Sequence, residues 1–276
     1  MTFVYRRWEE LCRALSVAGL HSIPAREVAR DSAPYLVLKH DVETKVASAY
    51  RMAEIEARHG HRGSYYVQAY LLHDKGNLAL LQKIREMGHE VSYHYDVMDA
   101  CHGDLSAAIA EFEANRQRFE ANGFSPVTVC QHGNPIVERV GYTSNRDFFR
   151  SERVRTLYPG ISDIMVNFGE ARGTSYAYYS DAGRRFKRIY DPLTNDLTDS
   201  SDKDIPYDTL TALLGAVTAG GSHIVSVHPH RWTASALVSR GRAAAFRVIR
   251  AVARCLAHIP FVRRWMAKHY DLAKKL

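Results

Sequence analysis

Histidines and carboxylates in this chain of 276 residues gather in four short runs: His40-Asp41-Val42-Glu43, His94-Tyr95-Asp96, His132-Gly133-Asn134-Pro135 and His228-Pro229-His230-Arg231-Trp232. Neutral imidazoles and carboxylates together are the ligand set of Zn²⁺ or a similar first-row divalent ion. Such an ion lowers the pKa of bound water and polarises a carbonyl oxygen. Hydrolysis there also needs a base to take a proton from water and an acid to protonate the leaving group. Asp41 and Glu43 lie two apart, so on an extended segment they project the same way. One can then bind an ion while the other stays free as base. His228, from a different run, approaches from the other side as general acid. The set suits metal-assisted hydrolysis of an amide or ester.

Each run directly follows a β-rich stretch. The sequence predicts strands over 35–39, 64–68, 90–93, 126–130 and 224–227. Between them lie helical patterns: one through Ala49, Met52 and Ile55 that ends near Gly60, one over 77–87 stopped by Gly88, one over 104–121, and one over 207–219. Asp104 is the expected N-cap of the third, and Gly123 lies just past its end. Residues 133–204 are aromatic and rich in Gly and Asp, read as two short strands inside long loops. Repeated strand–helix units predict an α/β fold with a parallel sheet, as a barrel or partial barrel. In such a barrel the C-terminal strand ends share one rim, where active sites are built. Four strands would deliver the four runs to one pocket. Asp181 and Arg184 are candidates to contact substrate there, and the aromatic loop around Tyr176, Tyr178 and Tyr179 is expected to shape the pocket.

Composition excludes other classes. With 46% hydrophobic and 24% charged residues the chain is an ordinary globular one. Its apolar runs fall far short of the roughly 18 to 20 residues that span a bilayer. The opening residues lack a basic stretch followed by an apolar one, so no secretory signal is read and a cytoplasmic location is expected. Four scattered cysteines form no CxxC pair. No GxSxG occurs, and Cys130 and His132 are too close along one strand for an evident triad, which disfavours a serine or cysteine hydrolase. His59, His61, His73, His89, His223, His258 and His269 are read as structural.

Charge is uneven. Residues 240–276 hold ten Lys/Arg against one acid, Asp271, a charge of +9, against −2 for residues 1–239. The chain is accordingly divided into a barrel domain, 1–239, and a basic helical extension, 240–276. Over 241–258 Arg247, Arg250 and Arg254 share one helical stripe, opposite Ala245, Ile249, Val252 and Leu256. The basic helix either packs on the barrel with its arginines in water or meets an anionic membrane surface. Nucleic acid is not expected, because no recognition motif occurs.

At these residues the sequence resembles the polysaccharide deacetylases, the nodulation-type or family 4 carbohydrate esterases, and most of all a branch whose first motif reads His-Asp-Val-Asp. The resemblance rests on five motifs in order: His40-Asp41-Val42-Glu43, the stretch from Gly88 through His94 to Asp96, Val129-Cys130-Gln131-His132-Gly133-Asn134-Pro135, Tyr179-Ser180-Asp181-Ala182-Gly183-Arg184, and His228 to Trp232. It covers about residues 35–235. It implies a distorted (β/α)7-type barrel of parallel strands that uses a divalent metal, Zn²⁺ first and Mn, Co or Ni otherwise, to remove an N-acetyl or other acyl group from a sugar. It implies Asp41 as general base, Glu43 and His94 as metal ligands, and His228 as general acid.

The sequence departs from that pattern at three places. Met98 stands where a further metal-binding His is usual, and Met does not suit a water-activating site. His132 or Asp96 is the replacement, His132 the favoured one. Gln131 stands near the place of an Arg that holds the catalytic carboxylate, a role open to Arg184 or Arg231. Glu43 is longer than the usual Asp by one methylene. His40, Asp96, Asn134, Asp181, Arg184, His230 and Arg231 complete the site as substrate-binding candidates. The substrate expected is an acylated sugar, as an oligosaccharide, lipid-linked or nucleotide-linked precursor of a surface polysaccharide. The alternative is a barrel that binds a glycan or partner without catalysis.

Overall fold

The structure, a computed structural model, describes residues 2–31, 34–134, 137–182, 186–189, 205–206 and 210–256. In chain order its elements are α1 (Tyr5–Val17), β1 (Leu36–Val42), α2 (Val46–Arg58), β2 (Ser64–Val67), α3 (Lys75–Glu86), β3 (Glu90–Tyr95), α4 (Val97–Ala100), α5 (Leu105–Ala121), β4 (Thr128–Gln131), α6 (Asp147–Arg150), α7 (Glu152–Leu157), β5 (Ser162–Asp163), α8 (Phe168–Arg172), β6 (Ala177–Ser180), β7 (Lys187–Ile189), β8 (Ile205–Pro206), α9 (Leu210–Thr218), β9 (His223–Val227) and α10 (Ala236–Leu256). The strands lie in the order β5-β4-β3-β2-β1-β9-β6-β7-β8. The first seven in that order are parallel, and β7 and β8 continue the sheet antiparallel. This is the distorted (β/α)7 barrel, with the two antiparallel strands as an addition that the sequence pattern did not reveal.

Local signals set the element ends. The Asp104 carboxylate accepts from the backbone of Ser106 and Ala107 at 2.9 and 3.1 Å, which caps α5 as expected. Gly88 and Gly123 follow α3 and α5 at φ +89° and +79°, a conformation that L side chains rarely adopt. Asp74 caps α3 by accepting from Asn77 N at 2.7 Å.

Burial divides by strand face. Outside the sheet, Phe112 and Phe119 of α5 pack with Phe148, Phe149, Tyr93 and Tyr95. Trp8, Leu11 and Leu15 of α1 pack with Leu36, Leu38, Met52, Ile55 and Leu213. Inside, Val37, Tyr66, Tyr178 and Ile224 meet Ile164 and Phe168 from the β5–α8 connection. Above this apolar floor the barrel interior turns polar, with Lys39, Asp41, Ser226 and His94 buried. Residues 257–276, which hold the last part of the expected basic extension, lie outside the described residues, as does Arg184. Among the described residues, no helix is long and apolar enough to cross a membrane.

Candidate metal-dependent active site

β1 is buried along its whole length, and its alternation places Lys39 and Asp41 inside the barrel and His40 outside. The Lys39 ammonium donates to both oxygens of Asp41 at 2.6 and 2.7 Å, and to Ser226 Oγ at 3.3 Å. Burial works against charge on Asp41, but the Lys39 cation, with His94 and His228 nearby, holds its carboxyl well below the usual carboxylate range. Burial likewise opposes charge on Lys39, and the Asp41 carboxylate overrides it, so the amine is held above its ordinary value. Lys39 therefore supplies the cation for which Arg231 and Arg184 were the sequence candidates. Its signal was present: a lysine two residues before an aspartate on a buried strand shares that aspartate's face.

Past Asp41, Glu43 turns towards the ends of β3, β4 and β9. The His94 ring donates from Nδ1 to Cys130 O at 3.0 Å, which leaves the Nε2 lone pair facing the site. His94 Nε2 lies 3.2 Å from His132 Nδ1, and His132 Nδ1 lies 3.5 Å from Glu43 Oε1. Ligands held about 2.05 Å from a tetrahedral ion lie about 3.3 Å apart. Two of the three separations in this group thus match the edge of a zinc-sized tetrahedron, and all its ligand atoms lie within 4.8 Å of one another. A second convergent group, Asp41, His94 and Cys130, shares His94. An ion there would face the Lys39 ammonium, so charge favours the group of Glu43, His94 and His132. Burial raises the Glu43 pKa, but the four imidazoles of His228, His132, His230 and His94 bring it down to about 2.

His228 closes the other side. Its Nδ1 donates to Asp181 Oδ1 at 2.6 Å, and its Nε2 lies 3.8 Å from both Asp41 Oδ2 and Glu43 Oε1. Asp181 is fully buried and also accepts from His228 N, Arg231 Nη1 and Trp232 Nε1 at 3.1, 3.2 and 3.2 Å. Burial is again outweighed, here by His228 and Arg231, so Asp181 stays below its ordinary value. This corrects the expected substrate role of two residues. Asp181 orients His228, and Arg231 braces Asp181, also donating to its carbonyl at 2.8 Å.

His40 is a third correction. Its Nε2 lies 2.7 Å from Glu56 Oε1 on the outer face of β1, and its ring stacks on Tyr65 with centroids 4.0 Å apart. It is fully buried there and does not face the cleft. The aromatic residues 176, 178 and 179 correct a fourth expectation. Tyr178 and Tyr179 belong to β6 and are buried on its two faces, and Tyr176 OH donates to Ile164 O at 2.8 Å. They build the wall, not the mouth.

The other candidates lie nearer the cleft. His230 Nδ1 is 3.9 Å from Glu43 Oε2, and burial pushes this imidazole down to about 4 against the pull of Glu43. Asn134 Oδ1 is buried without a hydrogen-bond partner among the described residues. Asp96 precedes α4 and, among the described residues, is not part of a convergent ligand group, whereas Met98 is buried in the apolar cluster under α5. Tyr70, which the sequence did not single out, donates from its hydroxyl to Glu43 O at 2.5 Å and stays half exposed at the rim.

The stretch after β4 is fixed by Asp99 of α4. The Asp99 carboxylate accepts from Arg139 at 2.8 and 3.0 Å, from Tyr142 OH at 3.1 Å and from Asn145 Nδ2 at 2.8 Å. Asn145 Nδ2 also donates to His132 O at 2.8 Å, and Arg139 to Asn134 O at 2.8 Å.

No family model matches the chain, and no curated protein matches it. Solved structures do. A family 4 carbohydrate esterase from Streptomyces lividans, in complex with acetate, is 13% identical over 80% of this chain and 91% of that one, with a TM-score of 0.41. The peptidoglycan deacetylase PdaC from Bacillus subtilis is 10% identical over 82% of this chain and 97% of that one, with a TM-score of 0.36. A peptidoglycan deacetylase from Bdellovibrio bacteriovorus is 12% identical over 75% and 48% of the two chains, with a TM-score of 0.34. At such identity and overlap these stand as likenesses, and the chemistry rests on the side chains.

Proposed function

We propose that the chain is a metal-dependent deacylase that removes an N-acetyl or other acyl group from a sugar. The observation that carries this reading is the convergence of His94, His132 and Glu43 beside a lysine-bound Asp41 and an aspartate-backed His228. The sugar as substrate rests on the five motifs in order. Glu43, His94 and His132 would hold the ion, and Zn²⁺ suits two imidazoles and a carboxylate best, with Mn, Co or Ni next. When bound, it supplies Lewis-acid polarisation of the acyl carbonyl and acidifies water.

The chain's own groups do the rest. Asp41, kept ionised by Lys39, takes a proton from the attacking water. His228 carries a proton on Nε2, facing the space between Asp41 and Glu43, and delivers it to the departing sugar nitrogen or oxygen. Asp181 keeps the Nδ1–H in place, so that Nε2 is the nitrogen that exchanges protons. His230 and Asn134 border the cleft and contact the sugar. A nucleotide-linked or lipid-linked precursor of a surface polysaccharide is the substrate class we favour, met in the cytoplasm.

The test is the ion content of wild type and His94→Ala after reconstitution with Zn²⁺, followed by acetate release from N-acetylated nucleotide sugars and glycolipids. About one ion per chain, lost in the variant, with acetate release from one of these substrates, is expected. No bound Zn²⁺, Mn²⁺, Co²⁺ or Ni²⁺ in wild type would overturn the metal mechanism.

A further inference from the structure

Helix α10, Ala236–Leu256, contains five arginines and no acidic residue. An amphipathic helix that belongs to its own domain turns its apolar arc inward. At Leu237, Val238 and Val248 it does not. Leu237 is 79% exposed, Val248 63% and Val238 44%. Leu237 and Val248 are eleven residues apart, about three turns at 3.6 residues per turn, so they share one line along the helix. Gly241 and Ala244, exposed as well, fall beside that line, and Arg240 flanks it. The buried position is Ser239, and Arg242 and Ala243 are half-buried with it. Among the described side chains the covered side is thus that of Ser239, Arg242 and Ala243, with Phe246 beside them 37% exposed.

We propose that α10 is a docking helix for an anionic membrane surface, with Leu237, Val238 and Val248 entering the headgroup boundary and the exposed Arg240 beside them meeting lipid phosphate. Charge decides the occupant. Five positive charges with no acid would repel a second copy of the same helix, and the apolar line has no role on a nucleic acid backbone. Residues 240–276 together carry +9. The proposal is independent of the deacylase reading, since vesicle binding requires no turnover.

The experiment is co-sedimentation of the full chain with vesicles of equal parts phosphatidylglycerol and phosphatidylcholine, and with pure phosphatidylcholine vesicles. Binding to the anionic vesicles alone, weakened by salt, is expected. Leu237→Glu with Val248→Glu should lower that affinity roughly tenfold or more, because these exposed side chains supply the apolar contact. Circular dichroism confirms that the variant folds, which exposed positions permit. No binding to anionic vesicles overturns the proposal, as does a double variant that binds like wild type. Light scattering that shows a dimer dissolved by the same substitutions would assign the face to a second copy and overturn it too.

Discussion

Strand β1 carries an imidazole–carboxylate group on each of its faces, and the two are spent differently. On the outer face Glu56 accepts from Trp8 Nε1 at 3.0 Å and Tyr65 OH at 2.9 Å, with His40 Nε2 at 2.7 Å and all four residues fully buried. Both Glu56 oxygens there have partners supplied by the chain, and the group is fully buried away from the cleft. On the inner face Glu43 is partly exposed, and its oxygens lie 3.5 to 3.9 Å from three imidazoles without a direct hydrogen bond. Buried charge alone does not distinguish a site from a scaffold. What distinguishes them is lone pairs that converge on a space the chain does not fill.

The contrast can be broken at chosen points. The largest effect belongs to Asp41→Asn, which should lower deacylation by about 10²- to 10⁴-fold while the ion content stays that of wild type. Acetate release and metal analysis of the same preparation check both halves. Next comes Lys39→Met, which leaves a buried carboxylate without its cation and should cost about 3–5 kcal/mol in urea unfolding. Adding Asp41→Asn to that variant should return most of the loss, since both members of the pair are then neutral. Asp181→Asn should reduce kcat roughly ten- to a hundredfold with KM little changed, because it loosens His228 without touching substrate.

The smallest effect lies on the outer face. Glu56→Gln should cost about 1–3 kcal/mol of stability and leave activity per folded molecule intact. pH sharpens that case. Burial raises the Glu56 pKa, but His40 and the hydrogen bonds around it bring the folded value below the ordinary 4.5. A depressed carboxylate stabilises the fold fully above its unfolded pKa and loses that contribution as pH falls through the folded one. Wild type should therefore exceed Glu56→Gln in stability above about pH 4.5, and the gap should close below it, as urea titrations at several pH values will show.

The site's ingredients were legible where local pattern decides them. A polar run that follows an apolar β-stretch must sit at a strand's C-terminal end, so Asp41, Glu43, His94, His132 and His228 could be placed before any coordinates. What escaped depends on side-chain direction and distant pairing. His40 differs from Asp41 by one position, and one position is a change of face. Asp181 meets His228 only because β6 lies beside β9, a neighbour relation between strands far apart in sequence. Tyr178 and Tyr179 read as a loop because the strand they form is four residues long.

Asp99 and its partners lend residues 137–146 a stability of their own. The segment is held to α4 by hydrogen bonds and an ion pair more than by apolar packing, with Arg139 and Tyr142 only partly covered. Such a unit can open without global unfolding, at a free energy below that of the whole domain. His132 sits at its root, its N–H donating to Tyr95 O at 2.6 Å and its carbonyl accepting from Asn145, so opening would loosen His132 on one side while Glu43 and His94 stay on the sheet. The exchange rate of an ion held by the proposed ligands should then respond to Asp99, although Asp99 is not one of them.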